Sequence, residues 1–79
     1  MEGDVRQVTR EVVTEIVRKK VADEELLVSS GLVDSLRVID LVVALERRLK
    51  IKIPRELVQP EDFDSVDVIM DTLARVHGR

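Results

Sequence analysis

Gly31-Leu32-Val33-Asp34-Ser35-Leu36 runs straight into Arg37-Val38-Ile39-Asp40-Leu41-Val42-Val43-Ala44-Leu45-Glu46-Arg47-Arg48-Leu49. No glycine or proline interrupts the second part, and its apolar side chains recur at helical spacing, so the chain predicts an amphipathic helix over 35–49. Asp34 has the side chain of an N-cap. Ser35 is thereby placed at the very start of the helix, with its hydroxyl exposed. Leu36, Ile39, one of Val42 and Val43, Leu45 and Leu49 are the expected inward positions.

Upstream of Gly31, Val5, Val8, Val12 and Ile16 fall on one stripe, widened by Val13 and Val17, which predicts a first helix over about 4–20. Asp4 is the candidate cap. Arg18, Lys19 and Lys20 would occupy the last turn, where positive charge complements the carbonyl end of the helix dipole. β-Branched residues are mediocre helix formers, so this helix depends on burying its stripe against the others. Between Val21 and Val33 no period is sustained. This stretch reads as a long loop pinned by Leu26 and Leu27, and long loops in small domains tend to carry function or lead into it.

Downstream, Lys50-Ile51-Lys52-Ile53-Pro54 alternates like a strand but has no partner strand, so it is expected to be an extended connector whose isoleucines plug the core. Pro54 starts a short turn through Glu56-Leu57-Val58. Pro60-Glu61-Asp62-Phe63 predicts another helical turn with Phe63 inward. Asp64 or Ser65 then caps a last helix over about 65–76 that carries Val66, Ile69, Met70, Leu73 and Val76 and ends near Gly78. The expected fold is all-α, a bundle of three main helices plus a short one between the second and the last, in a single domain over 1–79.

Composition narrows the chemistry. Seventy-nine residues give one modest core, and Phe63 is the sole aromatic, so surfaces for stacking bases are absent. Without cysteine there is no disulfide framework, thiolate nucleophile or cysteine metal site. The start Met1-Glu2-Gly3-Asp4 is acidic and leads into no continuous apolar run, so neither a signal peptide nor a membrane span is expected, and the chain is read as cytoplasmic. The net charge of -3 is unevenly spread. Residues 36–55 hold six basic groups against Asp40 and Glu46, whereas residues 56–74 hold six acids and no base. Mutual attraction of the two stretches is one expectation, and solvation of outer helix faces is the plainer one.

His77 is the sole histidine and lies next to the C-terminus, which disfavours a Ser-His-Asp arrangement with Ser35. Asp62, Asp64, Asp67 and Asp71 lack the glycine and terminal glutamate of a calcium loop. No glycine-rich phosphate loop exists. Ser35 therefore has no base to activate it, yet it stands where helix amides favour an attached anion. Such a serine is better suited to being modified than to attacking. Taken alone, the residues leave the alternative of a plain helix-starting serine equally open.

The ordered set of Gly31-Leu32-Val33-Asp34-Ser35-Leu36, Val38 through Glu46 and Ile51-Lys52-Ile53-Pro54 closely resembles the acyl carrier protein family, and the likeness covers the whole chain. The resemblance implies that Ser35, within the motif Asp34-Ser35-Leu36, receives 4'-phosphopantetheine from coenzyme A through a magnesium-dependent phosphopantetheinyl transferase. It implies a non-catalytic, monomeric carrier of acyl or aminoacyl thioesters, served by a loading enzyme (an adenylating enzyme or an acyltransferase) and a downstream synthase or transferase. It also implies docking through the second helix, for which Leu36, Arg37, Asp40, Val43, Glu46 and Arg47 are the candidate contacts. Carriers of fatty-acid synthesis have a strongly acidic second helix, which Arg37, Arg47 and Arg48 interrupt here. Pro60-Glu61-Asp62-Phe63 looks more like aminoacyl and D-alanyl carriers and the discrete carriers of antibiotic pathways. A discrete carrier of a specialised polyketide or nonribosomal peptide pathway is the favoured reading. A carrier of fatty-acid synthesis, a D-alanyl carrier and an unmodified interaction module are the alternatives.

Overall fold

The computed structural model describes residues 2–77, with side chains from 5 to 76. Three α-helices, α1 (Glu2–Val17), α2 (Ser35–Leu49) and α3 (Val66–His77), are joined by a long loop and by a connector containing two 3₁₀ turns, Arg55–Leu57 and Pro60–Phe63. No strand occurs among the described residues. The bundle is the one expected, and both short turns expected between the second and last helices are present as 3₁₀ turns. The expected helix end near Gly78 lies outside the described residues, as does the side chain of His77.

Val12 and Val13 of α1, Val38, Leu41, Val42 and Leu45 of α2, and Val66, Ile69 and Leu73 of α3 meet in one core, closed by Leu27, Val33, Ile53 and Phe63. Phe63 is the largest side chain in it and is fully enclosed. This position explains the value of the turn that carries it: Pro60 starts that turn with a preset φ, and the turn delivers one bulky ring between helices. Ile53 fills the core from the extended connector as expected, while Ile51 packs at its margin.

Several details differ from expectation. α1 ends at Val17, because Arg18 adopts a left-handed conformation (φ 66) and its N–H bonds to the Thr14 carbonyl. Arg18, Lys19 and Lys20 thus follow the helix rather than form its last turn. Asp4 lies inside α1, which already runs from Glu2. In the loop Leu27 is buried but Leu26 is half exposed, so one leucine pins it. In α2 the inward face holds Val38 and Leu41, whereas Leu36, Ile39 and Val43 point outward with exposures of 74%, 54% and 41%. Apolar residues cover so much of this helix that periodicity alone does not choose the face. α1 and α3 make that choice by packing against the Val38–Leu41–Val42–Leu45 side.

Ion pairs of the two oppositely charged stretches run to other parts of the fold. Arg48 reaches back to Glu11 and Glu15 of α1, Asp62 pairs with Arg75, and Asp67 with Arg6. Arg6 and Arg10 also converge on Asp23, with Arg10 bidentate at 2.9 and 2.8 Å. The cluster ties the start of the loop to α1 and α3 and holds the Asp23 carboxyl below the usual carboxylate range, chiefly through the Arg10 hydrogen bonds.

Candidate functional site

α2 begins in the manner of a capped helix. Asp34 is extended (φ -92, ψ -177), and its carboxylate accepts the Arg37 N–H at 2.9 Å while its carbonyl accepts the Val38 N–H at 3.0 Å. Ser35 is the first helical residue, and its side chain is exposed. Among the described residues no side chain is hydrogen-bonded to its hydroxyl.

The loop before α2 is long but tightly held. Asp64 reaches across from the start of α3, and its Oδ1 accepts the N–H groups of Val28 at 2.8 Å, Ser29 at 2.9 Å and Leu27 at 3.2 Å. Its Oδ2 accepts the Ser29 hydroxyl. Burial pushes the Asp64 carboxyl up, but the Ser29 hydroxyl and the three amides pull harder in the other direction, leaving it below its ordinary range. The cap of α3 falls instead to Ser65, whose Oγ accepts the Val68 N–H at 3.1 Å. Ser30 donates to the Leu26 carbonyl at 2.6 Å, and Gly31 turns the chain with φ 86, a conformation that favours glycine. Val33 is anchored in the core immediately before Asp34. Ser29 and Ser30 are therefore engaged within the loop, and Ser35 is the hydroxyl left facing outward.

Beside Ser35 opens a cleft of about 950 Å³. Val38, Ile39, Val42 and Val43 of α2 form one wall, and Ile53, Pro54 and Val58 of the connector form the other. Glu46, Lys52, Arg55 and Glu56 stand around it. The cleft is open and largely apolar, and Ser35 stands at its edge.

The candidate contact residues divide into two groups. Leu36, Asp40, Val43 and Arg47 are exposed on α2. Arg37, though exposed, donates to the Ile16 carbonyl at 3.0 Å and so closes the end of α1. Glu46 is half-buried and accepts the Ile53 N–H at 2.8 Å, holding the connector against α2. From the sequence both are surface groups, because their partners are made available only by folding. The acids Asp62, Asp64, Asp67 and Asp71 hold no common site, and no cluster suited to a metal ion occurs among the described residues. No helix is long and apolar enough to cross a membrane.

The described residues thus form a helical bundle with an exposed serine hydroxyl at the start of α2, beside an apolar cleft. The family model described as "Phosphopantetheine attachment site" matches residues 5–73. The chain belongs to that family, the phosphopantetheine-binding carriers of the acyl carrier type, whose prosthetic group is covalently attached 4'-phosphopantetheine. A search of curated proteins finds no match. An exposed serine free of internal hydrogen bonds, opening on a cleft with apolar walls, fits such a group. When bound, it supplies a thiol on which biosynthetic intermediates are tethered for modifying and partner enzymes.

Proposed function

We propose that Ser35 is the attachment residue and that the chain is a discrete, non-catalytic acyl or aminoacyl carrier of a specialised pathway of polyketide or nonribosomal peptide type. The observation that carries the assignment is the Ser35 hydroxyl, exposed at the first position of α2 and free of internal partners, whereas Ser29 and Ser30 are spent on the loop. A phosphopantetheinyl transferase would load Ser35 from coenzyme A, and a loading enzyme would then charge the thiol. The chain's own contribution is to hold the arm at one end of a rigid helix, which raises the effective concentration of the cargo at each partner. Support for a specialised pathway comes from the charge of α2. Of its acids, Glu46 is turned to the connector, leaving Asp40 as the freely exposed one, against Arg37 and Arg47, while Arg48 is paired with Glu11 and Glu15 of α1.

Incubation with coenzyme A, magnesium and a broad-specificity phosphopantetheinyl transferase tests the assignment by intact mass. The wild type is expected to gain one phosphopantetheine and Ser35→Ala none. An unchanged wild type, or a modified Ser35→Ala, refutes it. An unmodified interaction module would instead form a stable protein complex that survives Ser35→Ala.

A further inference from the structure

Among the described residues, a run of cations at the end of α2 and in the connector forms no ion pair. Arg6, Arg10, Lys19, Arg48 and Arg75 each pair with a carboxylate, and Arg37 caps α1. Arg47, Lys50, Lys52 and Arg55 are exposed and form no ion pair among the described residues. They are close in sequence, running from the last turn of α2 through the left-handed cap at Lys50 into the connector. Lys52 and Arg55 line the same cleft as Ile39 and Val43, and Arg47 follows Val43 by one helical turn. The exposed apolar strip of α2 thus ends among four positive charges. Two carboxylates stand on the cleft with them, Glu46, which accepts the Ile53 N–H, and Glu56.

We propose that the C-terminal half of α2 and the connector form a docking surface for a partner enzyme with an apolar seat rimmed by carboxylates. Charge complementarity selects this occupant. Asp67, Asp62 and Asp64 are engaged by Arg6, Arg75 and the loop amides, and against Asp40, Glu46 and Glu56 the four cations remain in excess on this surface. Carboxylates on a partner would add attraction and orientation to the contact made by Ile39 and Val43. A basic partner, suited to an acidic second helix, would meet repulsion here. Arg18 and Lys20 also form no ion pair among the described residues, but they follow α1, whose end Arg37 fastens beside the first turn of α2, so they belong to the opposite end of the surface. The inference rests on the carrier reading, since it presumes enzymes that visit Ser35.

The test is a titration of the isotope-labelled full chain, followed by backbone amide NMR, with two synthetic amphipathic peptides. Both present the same leucine face, and their polar faces are all glutamate in one and all lysine in the other. The glutamate peptide is expected to shift amides from 39 to 55, and the lysine peptide to leave them unmoved. Arg47→Glu/Lys52→Glu should weaken the glutamate peptide on the order of tenfold, and raising salt should weaken it as well. Lys20→Glu should leave binding unchanged. Should the double reversal impair folding, Arg47→Gln/Lys52→Gln gives the same reading without new charge. Shifts centred on residues 18–20, equal binding of both peptides, or capture by anionic phospholipid vesicles without response to the glutamate peptide would overturn the proposal. Intact mass after transferase treatment of the same sample reports on Ser35 separately, so failure of the carrier reading and failure of the docking face are distinguished.

Discussion

Removing the Asp64 carboxylate is the most direct probe of how α3 positions the segment that leads to Ser35. In Asp64→Ala four donors lose an acceptor: the N–H groups of Leu27, Val28 and Ser29 and the Ser29 hydroxyl. They do not count equally. Leu27 N–H keeps the Asp64 backbone carbonyl at 2.7 Å, and exposed Ser29 can turn to water. The unrelieved loss is concentrated on half-buried Val28 N–H and on the charge-assisted character of the cluster, which sets the cost at about 2 kcal/mol. For a chain of this size that lowers the thermal midpoint by roughly 8–16 °C. Asp64→Asn keeps an acceptor oxygen but loses the charge, so about half of that cost is expected.

The pH dependence has a defined sign. The folded Asp64 pKa is depressed, so its contribution is complete above the unfolded carboxylate value, about 3.9, and is lost as pH falls through the folded one. Asp64→Asn should flatten that part of the acid limb. Because the chain has no Trp or Tyr, unfolding is best followed by far-UV circular dichroism, with hydrogen exchange reporting on the Val28 amide. If Asp64→Ala stays within about 0.5 kcal/mol of wild type and Val28 keeps its protection, the loop is held by other means and the reasoning fails.

Two further outcomes test the packing. Leu41→Ala should cost about 2–5 kcal/mol and Leu36→Ala less than about 0.5 kcal/mol, because Leu41 is fully buried and Leu36 is 74% exposed; similar losses in urea unfolding would mean that α2 is rotated from the described face. Arg18→Gly should stabilise the chain by about 0.5–1 kcal/mol, since Arg18 holds φ 66 at the end of α1, and an unchanged or lowered thermal midpoint would contradict that strain.

The helices, the Asp34 cap, the inward Phe63 and the position of Ser35 at a helix start were all legible in the residues, because each depends on local signals: spacing, caps, and proline at the start of a turn. The seat of Asp64 was not legible. It qualified as a cap for α3, and the donors it serves instead lie some 35 residues upstream, where no local pattern points to them. The same holds for Arg37 and Glu46, whose partners are a carbonyl of α1 and an amide of the connector.

The run from Gly31 to Leu49 shows where the boundary falls. Helical spacing and an acidic cap are enough to make α2 and to put Ser35 on its first turn. They do not say which side of a helix bearing Leu36, Val38, Ile39, Leu41, Val42, Val43 and Leu45 turns inward, because apolar side chains occupy more of its circumference than a single core contact can cover. Packing by α1 and α3 buries Val38 and Leu41 and leaves Leu36, Ile39 and Val43 outside. Charge behaves in the same way: the sequence separates basic from acidic stretches, but folding sends Asp62, Asp64 and Asp67 to other partners and leaves Arg47, Lys50, Lys52 and Arg55 facing outward. Long-range packing and pairing depend on which surfaces the folded chain brings together, and no periodicity along the chain encodes that.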